Sequence, residues 1–118
     1  MTVFETEIIS VGEEAELFEE EKMVILFGKN APDTLKDYCY NIQVNPVNGS
    51  ITTGGKLNIG DTSFEITAVG EVVQKNLEDL GHITIKFDGS TTPELPGTLY
   101  VEDKDIPDLG VGTHVKIQ

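Results

Sequence analysis

β-branched residues are the feature that most limits what this chain can fold into. Val, Ile and Thr number 11, 11 and 12, so 34 of 118 residues are β-branched, against three Ala. Such side chains lose rotamer freedom in a helix and pack well on a pleated surface. Twelve Gly and five Pro cut the chain into short segments. The pattern predicts an all-β (mainly β) fold, a small barrel-like domain with one or two short helices. At 118 residues the chain is expected to form one domain, spanning 1–118.

The strand candidates follow from alternation and turn residues. Thr2 to Ser10 alternates loosely, Lys22 to Phe27 is a short apolar run, and Cys39 to Val44 stops before Asn45-Pro46. Ser63 to Val69 sets Phe64, Ile66 and Ala68 on one face. From His82 to Phe87, Ile83, Ile85 and Phe87 face one way, and His82, Thr84 and Lys86 the other. Thr98 to Val101 and Thr113 to Ile117 close the set. Asn48-Gly49 reads as a hairpin turn, because both residues tolerate positive φ. Gly54-Gly55 and Gly60-Asp61 mark further turns. Glu71 to Leu80 carries Val73, Leu77 and Leu80 at helical spacing and is followed by Gly81, the residue type that ends helices. Glu13 to Glu21 is a weaker helical pattern, and Pro32 to Tyr38 could form one turn.

Charge excludes several functions. All eight positive side chains are Lys, 21 are acidic, and the net charge is −13. Phosphate neutralisation dominates nucleic-acid binding, so no nucleic-acid partner is expected. Anionic membranes are excluded on the same ground, while a basic patch on a partner protein is compatible. The longest apolar run, Met23 to Phe27, has five residues, far short of the about 20 a membrane helix needs. No direct membrane insertion is expected, and the first residues lack the basic and apolar regions of a signal peptide. The single Cys39 rules out an internal disulfide framework. These observations predict a soluble cytoplasmic protein.

Chemistry-bearing residues are few. Two His and one Cys are too few for a His/Cys zinc site, no phosphate loop is present, and Glu102-Asp103-Lys104-Asp105 lacks calcium-loop spacing, so no metal site is expected. Cys39 reads as a small buried hydrophobe, His114 as a surface or structural residue, and Phe4, Phe27, Phe64 and Phe87 as core. His82 has two readings. Imidazole exchanges between neutral and charged forms near neutral pH and could act as a nucleophile, with Thr84 and Lys86 as donors to a transferred phosphoryl group in the absence of Arg. Alternatively it caps the helix end or donates to a backbone carbonyl.

One long block carries a resemblance: Ala68-Val69-Gly70, then Asn76-Leu77-Glu78-Asp79-Leu80-Gly81-His82-Ile83-Thr84-Ile85-Lys86-Phe87-Asp88-Gly89. Pro96-Gly97-Thr98 and Ala31-Pro32 followed by Tyr38-Cys39-Tyr40 extend it over nearly the whole chain. The sequence resembles the glucitol/sorbitol-specific IIA component of the bacterial phosphoenolpyruvate-dependent sugar phosphotransferase system. The resemblance implies a mainly β, barrel-like cytoplasmic domain without a cofactor. It implies that such a domain takes a phosphoryl group from HPr onto a histidine and passes it to the IIB component during hexitol transport. In the family the acceptor histidine lies three residues after the cysteine of the Tyr-Cys pair, and here that position is Ile42. Ile carries no nucleophilic atom. His82 is then the candidate phosphoryl acceptor, with Thr84 and Lys86 as phosphate-stabilising residues. The alternative is a non-phosphorylatable IIA-like binding or regulatory protein. A third reading is a β-barrel interaction module with other partners.

Overall fold

The computed structural model describes residues 2–118. Eight strands close into a barrel: β1 (Phe4–Val11), β2 (Met23–Phe27), β3 (Tyr40–Ile42), β4 (Lys56–Ile59), β5 (Thr62–Val69), β6 (Ile83–Lys86), β7 (Thr98–Val101) and β8 (His114–Ile117). Around the barrel they run β1-β3-β2-β6-β7-β5-β4-β8. Closure leaves no unpaired sheet edge. Most neighbours are antiparallel, but β2 with β3 and β6 with β7 are parallel. Register shifts between Ile8 and Ser10 and between Ile66 and Ala68 interrupt the two longest strands, as bulges do where a barrel bends.

Alternation fixes the interior. Phe4 and Ile8 of β1, Val24 and Leu26 of β2, Phe64 and Ile66 of β5, and Ile83 and Ile85 of β6 are all buried in one core. Phe64 meets Phe87 edge to face, with centroids 5.0 Å apart. The expected apolar faces of residues 63–69 and 82–87 are therefore the ones that fill the barrel. The helix α1 (Val73–Leu80) joins β5 to β6 and buries Val73 and Leu77. Gly81 ends it at φ 67°, its N–H on the Leu77 carbonyl, while the His82 N–H donates to the Asn76 carbonyl. The two weaker helical patterns shrink to short 3-10 turns, Leu17–Glu21 and Lys36–Tyr38.

Two expectations are corrected. Asn48-Gly49 does not close a hairpin: β3 pairs with β1 and β2, and β4 with β5 and β8. Gly49 still adopts φ 101°, but in a loop whose Asn48 N–H donates to the Val3 carbonyl at 2.7 Å. Strand β4 had no counterpart among the strand candidates, although Gly60-Asp61 does form its two-residue turn to β5.

Candidate functional site

His82 stands at the mouth of β6, between the end of α1 and the end of β2. Antiparallel register places Val24, Ile25 and Leu26 opposite Ile85, Thr84 and Ile83, and one further step sets Phe27 opposite His82. The two rings stack with centroids 4.2 Å apart and planes 24° from parallel. Phe27 is thus buried as expected, but under the imidazole on the outer side of the barrel. Its partner on β3 is Asn41, whose own partner on β1 is Ser10. Ser10, Asn41, Phe27 and His82 therefore form one row across β1, β3 and β2 to the residue that precedes β6. Asn41 Nδ2 donates to the Phe27 carbonyl at 3.2 Å, tying the row together.

The imidazole is half-buried. Its Nδ1 lies 3.3 Å from the Leu26 carbonyl oxygen. A carbonyl can only accept, so Nδ1 carries the proton in this bond. In the neutral ring that leaves Nε2 as a bare lone pair, and Nε2 has no hydrogen-bond partner among the described residues. Of the two sequence readings of His82, the one in which the ring donates to a backbone carbonyl has a direct counterpart in this contact.

Thr84 and Lys86 share the outer face of β6 with His82, both half-buried. At strand spacing the Thr84 backbone is about 7 Å from that of His82, and Lys86 about 13 Å. Lys86 Nζ sits 3.9 Å from an Asp88 carboxylate oxygen. The fold brings Thr84 near the ring and holds Lys86 further along the strand. Sequence reasoning passed over Phe27 as a ring support and over Asn41 as the side chain that ties the row together, because cross-strand neighbours leave no local signal.

The other candidates are quiet. Cys39 is buried, its Sγ 3.2 Å from the Leu35 carbonyl oxygen, and burial pushes the thiol up to about 11. It is a thiol, not a thiolate nucleophile, at neutral pH. His114 is exposed and lies 3.6 Å from a Glu7 carboxylate oxygen across the β1–β8 pair. Ile42 is 1% exposed and faces Ile8 in the core.

The PTS system glucitol/sorbitol-specific IIA component family matches residues 3–116. The chain belongs to this IIA family. The glucitol/sorbitol-specific EIIA components of Shigella flexneri and of Escherichia coli strain K12 are each 32% identical over 116 residues, which is 98% of this chain and 94% of theirs. The crystal structure of a PTS system IIA component from Enterococcus faecalis V583 superposes with a TM-score of 0.82 at 29% identity, covering 95% of this chain and 97% of that one. The IIA barrel is therefore the shared frame.

Proposed function

We propose that the 118-residue chain works as a single cytoplasmic IIA domain of a glucitol/sorbitol-type phosphotransferase system. In this role it receives a phosphoryl group from HPr on Nε2 of His82 and hands it to IIB. One observation carries the reading: Nδ1 is engaged by the Leu26 carbonyl, and Nε2 of the half-buried ring is unengaged among the described residues.

The step balances without a proton acceptor. The Nε2 lone pair attacks phosphorus, the N–P bond to the HPr histidine breaks, and that imidazole leaves with the bonding pair. Nδ1 keeps its proton, and the Leu26 carbonyl stabilises the positive charge that develops on the ring. The stacked Phe27 face adds a favourable cation–π contact. Beside the Gly28–Gly81 contact that precedes the ring, Val44 and Leu80 are exposed apolar side chains of the kind that line protein docking faces. The acidic surface favours a partner with a basic face.

Ile42 favours a second reading, a IIA-fold protein that docks phosphotransferase components without carrying phosphate. Incubation with phosphoenolpyruvate, enzyme I and HPr, followed by intact mass, separates the two. A gain of one acid-labile phosphoryl group that disappears in His82→Ala supports the carrier. Binding to HPr or IIB with no mass gain supports the second reading, and stable label on another residue sinks the carrier mechanism.

A further inference from the structure

Six of the eight lysines have a carboxylate oxygen within 4.0 Å. Among the described residues, Lys29 and Lys116 are the two that do not. Lys116 lies on β8, four strands from β6 in either direction and so on the far side of the barrel. Lys29 is exposed and follows Phe27 by two residues. Between them, Gly28 is packed backbone to backbone on Gly81, the residue before His82: its N–H donates to the Leu80 carbonyl at 3.0 Å, and a Cβ on Gly81 would come within 3.1 Å of its nitrogen. Lys29 therefore starts beside the segment that carries the imidazole.

Two grooves flank β3, and Lys29 is the residue they share. One, of about 350 Å³, is bordered by Ser10 and Asn41. The other, of about 280 Å³, is bordered by Ile42 and Val44. Lys36 also borders the first groove, but Asp37 is there too and Asp33 lies 3.5 Å from its ammonium. Lys29 is the cation of this face that no carboxylate has already engaged.

A phosphoryl group on His82 needs such a cation. The group would sit by the C-terminal end of α1, where helix carbonyls concentrate partial negative charge, on a protein of net charge −13. We infer that Lys29 is the residue that binds the phosphoryl oxygens beside His82, with the Asn41 amide, one of whose hydrogens remains uncommitted, as the second donor. This inference rests on the carrier reading of His82. The flexible lysyl stem lets the ammonium follow the group from the HPr histidine to Nε2 without moving the backbone.

The test compares wild type, Lys29→Gln, Lys29→Arg and Lys116→Gln in phosphoryl uptake from phospho-HPr, read by mass over time. Lys29 is exposed, so its variants fold. Uptake is expected to slow about tenfold in Lys29→Gln and to recover in Lys29→Arg, while Lys116→Gln matches wild type. Equal rates for the two Gln variants overturn the role of Lys29 and leave the carrier reading standing. Should wild type take no phosphoryl group at all, the carrier reading fails by itself, and inorganic phosphate titrated against backbone amide shifts decides for the cation site. Shifts at Lys29 and Asn41 that vanish in Lys29→Gln uphold it as a phosphate-binding group, and no shifts there overturn it.

Discussion

Gly28 and Gly81 touch through their backbones, and that contact sets the entry angle of His82. Gly81 needs its lack of a side chain twice: φ is 67°, and an added Cβ would press on Gly28 at 3.1 Å and on Val44 Cγ2 at 3.1 Å. Gly60 offers a comparison, since it has φ 57° but open space around it. Gly60→Ala is expected to cost about 1 kcal/mol, the left-handed penalty alone. Gly81→Ala should cost about 2 kcal/mol or more, because strain and crowding add. Urea unfolding of both variants checks this. Equal losses would mean that the Gly28–Gly81 contact yields without resistance.

The Leu26 carbonyl makes a prediction about proton position. With Nδ1 donating to it, the neutral His82 ring should be mostly the Nδ1–H tautomer, whereas exposed histidines favour Nε2–H. Long-range nitrogen–proton NMR spectra distinguish the two by the shifts of the ring nitrogens. Finding the proton on Nε2 would remove the lone pair on which the carrier proposal depends. Phe27→Leu should keep the fold, since the buried volume stays largely apolar, and should shrink the tautomer preference as the ring loses its stacked support.

Much of this arrangement was legible in the sequence, and the parts that were not share a cause. Alternation at 63–69 and 82–87 identified the inward faces, because a half-buried strand must segregate its side chains. The Gly81 stop was legible because a left-handed helix end selects glycine. Strand β4 was not, since Lys56-Leu57-Asn58-Ile59 stands between Gly54-Gly55 and Gly60-Asp61 and reads as a spacer between two glycine turns. The Asn48-Gly49 turn formed locally without the hairpin, because strand partners are chosen by barrel closure. Lys29 illustrates the remaining gap. Lys56 has no acidic residue within three positions either, yet it faces Glu65 across β4 and β5 at 3.7 Å, while Lys29 has no such partner among the described residues. Pairing across strands decides which lysine is available, and local sequence does not record it.

Alkaline pH should weaken the protein through two adjacent residues. Burial pushes the Cys39 thiol from 9.0 to about 11. Burial first, then Glu19 and Glu16, push the Tyr40 phenol from 10.0 to about 12. Both groups hold their protons more tightly folded than unfolded, so their contribution is complete below pH 9.0 and is lost as pH rises toward about 12. Each is worth roughly 2 to 3 kcal/mol across that window. Denaturant midpoints measured from neutral pH to about pH 11 should fall, and Cys39→Ser should flatten the first part of the fall. A midpoint that holds steady to pH 11 would show that neither group is held in its protonated form by the fold.

Gln74 holds the loop that replaced the expected hairpin. From α1 its Oε1 accepts the Ile51 N–H at 3.1 Å, and its Nε2 donates to the Gly49 carbonyl at 2.8 Å. Ile51 is buried, so its amide depends on this side chain. Gln74→Ala should cost about 1 to 2 kcal/mol and speed amide exchange at Ile51 while leaving β6 protected. Gln74→Glu separates the two bonds, because a carboxylate still accepts from Ile51 but cannot donate to Gly49. Protection at Ile51 should then survive in Gln74→Glu and be lost in Gln74→Ala. If Ile51 exchanges equally in both variants and in wild type, the loop is held by the packing of Ile51 against the core and the amide clamp contributes nothing.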